Sequence, residues 1–331
     1  MEKVAAALRA PFAMLVRPLD RAVVVLDESP ESRSAGALRV RRAVAVLVLL
    51  FGVAVVGRTV ASGALPTLAQ VLVVMLGVAL FLNRGGRFLR DWVPVFVGAL
   101  AYLLSASAVQ AFGFAVHYTP QIDAERALFG GALPTVWLQE RLYDGTTGFL
   151  EVATTLFYVS HFLAPLVLAF LIWAVWDRRG FVDLFFGILV VTILGEITFV
   201  LAPTAPPWLA ADAGLVPPVH DMIKQALYDM GLTPLADQFH SPSYNTVAAI
   251  PSLHAAWPVI GLLVALRHRL PRWVVVGQAG LVLGVLFSIV YSGEHYVVDA
   301  LVGFVYAGVA WWLVQLALRP RGSRTPQPDG R

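Results

Sequence analysis

Long runs of apolar residues recur along most of this 331-residue chain. Each run approaches the roughly 17–25 residues that an α-helix needs to cross a bilayer. Backbone polar groups inside lipid must be satisfied within their own segment, and a helix does this. The sequence therefore predicts an all-α polytopic membrane bundle of about eight transmembrane helices. The predicted spans lie near residues 42–62, 66–83, 92–116, 150–176, 181–202, 252–267, 273–291 and 297–318.

The positions of the basic residues predict which ends of the spans face the cytoplasm. On or near the extracytoplasmic side of the membrane we place only four basic residues, Arg58, Arg126, Arg141 and Lys224. The other 20 of the 24 lysines and arginines (24 − 4) then lie on the cytoplasmic side. Eight spans with both termini in the cytoplasm fit this distribution of charge. We therefore expect a multi-pass protein of the plasma membrane. Because arginines at span ends explain the net charge of +3, we expect no nucleic-acid partner.

Composition divides the chain into four predicted segments. Residues 1–41 form a basic cytoplasmic N-terminal segment, and residues 42–91 form two accessory transmembrane helices. Residues 92–318 form a six-helix core, and residues 319–331 form a disordered cytoplasmic tail. The absence of cysteine excludes disulfides, thiolate metal sites and cysteine nucleophiles.

Two motifs place histidines at the ends of predicted spans. Pro-Ser-Leu-His ends at His254, in the first turn of a span that runs from the outer side inward. Gly-Glu-His-Tyr-Val-Val-Asp contains His295 and Asp299, at the junction between the last two spans. All three side chains are therefore expected at the outer, extracytoplasmic face and at similar depth.

The chemistry of these three residues suits phosphoryl transfer on a lipid. His295 and Asp299 are four residues apart, so they share one face of a helix. Asp299 is expected to accept the Nδ1 hydrogen of His295 and fix its tautomer, which leaves Nε2 to attack. His254 would give a proton to the leaving alkoxide, since histidine titrates near neutrality.

Residues beside the two histidines are candidates for substrate binding. Ser252 is placed as an N-cap, where the first backbone N–H groups of a helix face an anion. Glu294 and Tyr296 flank the second histidine. Two histidines with Asp299 or Glu294 would also suit zinc. The spacing lacks the pair of histidines four residues apart of the helical zinc motif, so we expect no metal or other cofactor.

These two motifs resemble those of the type 2 phosphatidic acid phosphatase superfamily, in its branch around the inositolphosphorylceramide synthases. Pro-Ser-x-His and His-Tyr-x-x-Asp occur in the order, spacing and membrane position of that family. The resemblance implies a metal-independent enzyme acting on a membrane lipid with a phosphate headgroup. It implies that His295 forms a phosphohistidine, that Asp299 orients it, and that His254 protonates the leaving group.

The chain also departs from the pattern of typical phosphatases in this superfamily. The outer loops contain no Lys-x6-Arg-Pro motif, and the Ser-Arg pair before the nucleophile is Ser288 and Ile289. Lys224, Arg126 or Arg141 would have to replace the missing cations. The departures favour a phosphodiester, with transfer of a phospho-alcohol such as phosphoinositol to an alcohol or polyol acceptor, slightly over hydrolysis. The oligomeric state stays open.

Two ionisable residues lie within predicted spans, at a depth where such residues are functional candidates. Glu196 in the fifth span and His161 in the fourth would pair to close the floor of the active cavity, or would clasp the two spans together. They also support the alternative function, a non-catalytic transporter or lipid-binding protein. Tyr158, Tyr244 and Asn245 are further candidates for lining the cavity.

Overall fold

In the part of the chain that the structure describes, the protein consists of helices and the segments that connect them. The computed structural model describes residues 34–239 and 245–318, together with Leu19, Asp20, Val23 and Asp27. Most of the predicted N-terminal segment, the predicted tail and Tyr244 lie outside the described residues. Within the described ranges, extended backbone pairs only at isolated bridges. The predicted all-α polytopic fold is therefore confirmed.

Each of the eight predicted apolar runs coincides with one helix. The helices run in chain order as α1 (Ala35–Ala61), α2 (Leu68–Phe81), α3 (Gly85–Phe112), α4 (Thr119–Leu128), α5 (Pro134–Leu142), α6 (Phe149–Val175), α7 (Arg178–Leu201), α8 (Pro207–Asp212), α9 (Met222–Asp229), α10 (Thr233–Phe239), α11 (Leu253–Arg267), α12 (Arg272–Tyr291) and α13 (Val297–Leu318). Five of them, α1, α6, α7, α12 and α13, are long and apolar enough to cross a membrane, and α2 and α11 are shorter apolar helices.

Helices α1 and α2 form a hairpin at the periphery. They pack closely because Gly52 of α1 lies against Val74, and Gly77 of α2 lies against Leu49. Small residues at such contacts let two helix backbones approach within a membrane. Most of the surface of α1 is not covered by the described protein, as expected for a helix that faces lipid.

Helix α11 lies at the centre of the remaining bundle and packs against α6, α7, α12 and α13. Its first turn is capped by Ser252, whose Oγ accepts the N–H of Ala255 at 3.3 Å. It ends at Arg267, shortly before Pro271, and Arg269 adopts a positive φ of 50° in the connection. The central position of this short helix brings its first turn close to the ends of α6 and α13.

Three extended segments lie side by side next to the start of α11. The N–H of Thr204 donates to the carbonyl of Val247 at 2.8 Å, and the N–H of Ala249 donates to the carbonyl of Thr204 at 3.2 Å. On the other side of this segment, the N–H of His117 donates to Pro203 at 2.8 Å. This pairing fixes the backbone of residues 247–249, which includes a carbonyl that the site uses.

At the opposite end of the bundle, a buried carboxylate is surrounded by cations. Asp91 of α3 accepts hydrogen bonds from Arg90 at 2.8 Å, from Arg178 at 3.0 Å and from the indole of Trp173 at 3.0 Å. Charge-assisted bonds of this kind offset the cost of burying a carboxylate. They join α3 to the connection between α6 and α7.

The long connections between α3 and α6 and between α7 and α11 contain the short helices α4, α5 and α8–α10, which lie over the ends of α12 and α13. Gln139 of α5 is a central tie in this layer. Its amide donates to the carbonyls of Tyr291 at 2.9 Å and His220 at 3.1 Å, and its oxygen accepts the N–H of His220 at 2.8 Å. The layer therefore encloses the junction of α12 and α13 from one side.

Candidate active site

The fold brings His254 and His295 together although 41 residues separate them. Nδ1 of His254, in the first turn of α11, lies 3.2 Å from Nε2 of His295, in the connection between α12 and α13. His295 is 5% exposed, so the pair lies in a largely dry environment. At this distance the two nitrogens form a direct hydrogen bond, in which one imidazole donates and the other accepts.

The second nitrogen of His295 faces two acceptors. Nδ1 lies 2.9 Å from the carbonyl oxygen of Ala249 and 3.4 Å from Oδ2 of Asp299. Because a carbonyl and a carboxylate both accept, Nδ1 must carry the hydrogen. Nε2 is then unprotonated and has a lone pair to offer. Asp299 is thus placed beside the imidazole as expected, but the shorter contact is to Ala249, which sequence patterns did not indicate.

Asp299 itself is held by backbone groups around the site. Its Oδ2 accepts the N–H of Tyr296 at 2.9 Å, and its carbonyl accepts the N–H of Ser252 at 3.1 Å. Asp299 and Ser252 have no solvent exposure. Both motifs are therefore joined directly, which fixes the start of α11 relative to the start of α13.

Aromatic rings pack against the imidazole of His254. The ring of Tyr158 stacks on it at 4.5 Å between centroids, and the ring of His161 lies at 4.3 Å. His161 in turn stacks on Trp257 at 4.4 Å, and the indole of Trp257 donates to Thr192 at 3.0 Å. This stack fixes the plane of the His254 imidazole. Nε2 of His254 is buried without a hydrogen-bond partner in the described part of the chain.

Glu294 and Tyr296 flank His295 on opposite sides of its backbone. Glu294 accepts a long hydrogen bond of 3.5 Å from the hydroxyl of Tyr158 and another hydrogen bond from Trp208. Burial raises the pKa of Glu294 well above its usual range, and the charge of Asp221 adds to this. Tyr296 is 1% exposed, and among the described residues its hydroxyl has no partner.

The predicted replacement cations lie at different distances from the site. Lys224 lies in the first turn of α9, where its backbone N–H donates to the carboxylate of Asp221 at 3.1 Å. The guanidinium of Arg141 lies over the ring of Trp137 at 4.3 Å. Arg126 of α4 interacts electrostatically with Tyr296, the residue that follows His295.

Glu196 and His161 have different described neighbours. Glu196 of α7 interacts electrostatically with Tyr102 of α3. His161 of α6 contacts the rings of His254, Trp257 and Phe162, and its Nδ1 has no hydrogen-bond partner within the described ranges. His161 therefore lies next to the histidine pair, against the ring of His254. The predicted pairing of Glu196 with His161 stays a prediction.

The remaining candidates behave as framework residues. The hydroxyl of Ser288 donates to the carbonyl of Thr154 at 2.7 Å, and Ile289 is fully buried in an apolar cluster. No cation therefore occupies the position where typical phosphatases carry arginine. Asn245 accepts the N–H of Val247 at 3.1 Å through its side-chain oxygen. As for zinc, the described residues contain no group of three or more His, Asp or Glu arranged to hold a metal ion.

Sequence reasoning missed one buried carboxylate near the site. Glu125 of α4 is 1% exposed, and its Oε1 accepts the N–H of Val297 at 2.8 Å, at the start of α13. Burial and the charge of Asp299 raise the pKa of Glu125, and the hydrogen bond from Val297 lowers it. The net result is a pKa of about 7. Nothing local in the sequence signals this contact, because 172 residues separate the partners.

Comparison with known proteins assigns the fold and the two motifs to a family. The sequence profile of the PAP2 superfamily matches residues 122–313, which is more than half of the chain and includes both histidines and Asp299. The chain belongs to the PAP2 superfamily. This confirms the resemblance that the two motifs carry.

A curated relative narrows the comparison within the PAP2 superfamily. The chain is 27% identical over 181 residues to the phosphoinositol dihydroceramide synthase of Bacteroides thetaiotaomicron. The match covers 53% of this chain and 59% of the relative, so it spans little more than half of either protein. The similarity agrees with the branch of the superfamily around the inositolphosphorylceramide synthases. No solved structure matches the chain.

Proposed function

We propose that this PAP2 superfamily protein is a membrane-embedded lipid phosphotransferase that acts at the extracytoplasmic face. It moves a phospho-alcohol group from a lipid phosphodiester to a hydroxyl group through a phosphohistidine on His295. The observation that carries the proposal is the separation of 3.2 Å between Nδ1 of His254 and Nε2 of His295. Nε2 of His295, which attacks, then lies next to Nδ1 of His254, which carries the proton.

In the first step, Nε2 of His295 attacks the phosphorus of the donor. The new N–P bond forms as the bond from phosphorus to the glycerol oxygen breaks. His254, which takes up a proton when the anionic donor binds beside it, gives its Nδ1 proton to the leaving alkoxide, which departs as a neutral alcohol. The phosphorylated imidazole carries a positive charge, and the carboxylate of Asp299 at 3.4 Å from Nδ1 stabilises it.

The second step reverses the roles of the two histidines. The hydroxyl of the acceptor attacks phosphorus, and the N–P bond to His295 breaks. His254, now neutral, takes the proton of the attacking hydroxyl on Nδ1 and returns to the imidazolium. His295, His254 and Asp299 return to their starting states, so one turnover exchanges one alcohol for another on the same phosphorus.

The surroundings of the pair support transfer rather than hydrolysis. His295 is 5% exposed, and the rings of Tyr158 and His161 pack against the imidazole of His254. A site that excludes bulk water protects a reactive intermediate from hydrolysis. The arginine that clamps a phosphomonoester in typical phosphatases is replaced by Ile289, which suits the single charge of a phosphodiester. The name of the Bacteroides relative points to phosphoinositol as the transferred group.

The test is to trap the intermediate. The purified protein would be incubated in detergent with phosphatidylinositol that carries tritium in the inositol ring, and quenched in alkali. We expect label on the wild type that is stable to alkali and labile to acid, and none on His295→Ala. His117→Ala, at an exposed histidine of the outer side, is the matched control and should label normally.

The same experiment separates the possible outcomes. Release of labelled inositol phosphate without an added acceptor would show hydrolysis, and label moved to dihydroceramide would show transfer. Label retained by His295→Ala would overturn the covalent mechanism on His295. No label on any variant, with a folded protein and several phosphodiester donors, would overturn the proposed enzyme activity and leave a non-catalytic lipid-binding role.

A further inference from the structure

The buried face of α4 is polar where an apolar face would be expected. Gln121 and Glu125 are four residues apart on this helix, so they share one face, and each is 1% exposed. An amphipathic helix normally buries apolar side chains and exposes polar ones. The neighbouring buried residue, Ile122, follows that rule. Burial of an amide and a carboxyl group on the same face therefore requires an explanation.

Four buried polar atoms around this face lack hydrogen-bond partners among the described residues. They are Nε2 and Oε1 of Gln121, Oε2 of Glu125 and the hydroxyl oxygen of Tyr296. Buried polar groups in native proteins are nearly always paired with protein, water or ligand. Gln121 is the clearest case, because both ends of its amide are unpaired within the described ranges. We refer to Gln121, Glu125 and Tyr296 as the polar chamber.

The polar chamber adjoins the catalytic residues. Oε1 of Glu125 accepts the N–H of Val297 at 2.8 Å, which ties α4 to the start of the helix that carries Asp299. Tyr296 is the next residue after His295. Glu125 interacts electrostatically with both Tyr296 and Asp299. A ligand in the chamber would therefore lie beside the nucleophile rather than at a remote site.

Apolar residues wall the polar chamber. Ile122, Tyr296 and Leu133 belong to one buried cluster with Ala210 and Val216. In such surroundings an unpaired polar atom costs more than in contact with water, and a ligand that pairs it gains specificity. The walls therefore favour a compact ligand that brings several polar groups at once.

We propose that the polar chamber binds the hydroxyl groups of a polyol, either as the headgroup of the donor lipid or as a free polyol acceptor. This assignment rests on the proposed function and names the groups that would hold the alcohol part of the substrate. An amide offers two donor hydrogens and an acceptor, and a phenol hydroxyl can donate or accept. Adjacent hydroxyls of a polyol, each both donor and acceptor, match this set.

The chamber does not suit the phosphate itself. A carboxyl group faces it, and a phosphate beside an ionised carboxylate would be repelled. Burial raises the pKa of Glu125 to about 7, so near neutrality this group also exists as the neutral acid, which donates a hydrogen bond to a hydroxyl oxygen. The phosphate would therefore lie against His254 and His295, and the polyol would lie against Tyr296 in the polar chamber.

The experiment compares substrates that differ only in the alcohol. The wild type, Gln121→Leu and the volume-conserving Gln121→Met would be assayed with phosphatidylinositol and with phosphatidylmethanol of the same acyl chains, a phosphodiester whose alcohol has no further hydroxyl. We expect KM for phosphatidylinositol to rise at least about tenfold in both variants, with KM for phosphatidylmethanol unchanged. Thr154→Val is the matched control, because it removes another buried unpartnered hydroxyl of the described chain, in α6 outside the polar chamber.

Binding without turnover provides a second measurement. Free myo-inositol should raise the thermal unfolding temperature of the wild type and of Thr154→Val, but not of Gln121→Leu. A loss of this shift with an unchanged KM for phosphatidylinositol would support the chamber and identify its ligand as a free polyol. A raised KM for phosphatidylinositol without any inositol shift would support it and identify the donor headgroup.

Two results would overturn the assignment. If Gln121→Leu changes neither measurement, the unpaired atoms are satisfied by ordered water only. If it lowers activity equally with phosphatidylmethanol, Gln121 is structural. Failure of the proposed function looks different, because the wild type would then give no phosphohistidine and no turnover, while the inositol shift would still report on the chamber.

Discussion

Gly303 of α13 lies directly against the backbone carbonyl of Ser252. A Cβ atom built on Gly303 would overlap the carbonyl oxygen of Ser252. One turn earlier on the same helix, the carbonyl of Asp299 accepts the N–H of Ser252 at 3.1 Å. The absence of a side chain at Gly303 therefore lets the first motif dock on the helix that carries the second. The distance between the two histidines depends on this close approach.

Replacing Gly303 with alanine should disturb the site without touching a catalytic side chain. We expect Gly303→Ala to lower the free energy of unfolding by about 1–3 kcal/mol, as for other overpacked positions. The start of α11 must move away, and a small displacement of His254 should lower kcat by roughly 10²-fold. Thermal unfolding in detergent and turnover of phosphatidylinositol measure the two effects.

The matched control for this substitution is Gly308→Ala on the same helix. A Cβ at Gly308 meets no atom within 4 Å, and alanine favours a helix over glycine by about 0.5–1 kcal/mol. We therefore expect Gly308→Ala to keep full activity with equal or higher stability. Equal activity of the two variants would show that the docking of Ser252 on α13 does not set the catalytic geometry.

The ring of Tyr158 should matter more than its hydroxyl. The ring stacks on His254 at 4.5 Å, and the hydrogen bond from the hydroxyl to Glu294 is long, at 3.5 Å. Tyr158→Phe keeps the ring, so its kcat should stay within about threefold of the wild type. Tyr158→Ala removes the ring that stacks on His254. The imidazole of His254 is then less firmly oriented, so kcat should fall about 10²-fold.

Steady-state kinetics of the two Tyr158 variants with one donor lipid test this ranking. Equal losses in Tyr158→Phe and Tyr158→Ala would contradict it and assign the main role to the contact between the hydroxyl and Glu294. Circular dichroism of Tyr158→Ala checks that the helix content is retained, so that a loss of kcat reports on the position of His254.

Glu125 should make the stability of the protein depend on pH. Its pKa is raised from 4.5 to about 7 in the folded protein, so the folded state binds this proton more tightly than the unfolded chain does. The contribution is therefore fully present below about pH 4.5 and is lost as the pH rises to about 7. At about 1.4 kcal/mol per pKa unit, the loss approaches 3 kcal/mol.

Glu125→Gln removes this titration and keeps an oxygen that can accept the N–H of Val297. The difference in unfolding temperature between Glu125→Gln and the wild type should therefore grow between pH 5 and pH 7, with the variant more stable at the higher pH. Measuring the difference cancels the titration of other groups, including Glu294, whose pKa is raised by burial. A difference that stays constant over this range would show that the carboxyl group of Glu125 does not titrate there.

Much of the fold could be predicted from the sequence, because apolar length and backbone hydrogen bonding leave few solutions in lipid. All eight apolar runs became helices, six of them with ends within about three residues of those expected, whereas α1 and α3 begin about seven residues earlier than expected. His254, His295 and Asp299 could be named because a span end and a spacing of four residues are local properties. The capping of α11 by Ser252 was predictable for the same reason.

Contacts between distant segments could not be predicted in this way. The acceptor for Nδ1 of His295 is the carbonyl of Ala249, a group that every residue has and no motif marks. The side chain of Gln139 ties two backbone segments that lie more than 80 residues away from it. Such contacts depend on how the outer loops fold over the bundle, and no periodicity records that.

The sequence by itself therefore determined that the chain lies in a membrane, where its helices run and which residues are candidates for reaction, because each depends on composition or on spacing along one segment. Only the tertiary structure decided which groups face the two nitrogens of His295, which rings pack against His254, and that Glu125 of α4 contacts the start of α13. These features arise from distances between atoms that are remote in the chain. Such distances are set by packing of the whole bundle, which is cooperative and leaves no local signature.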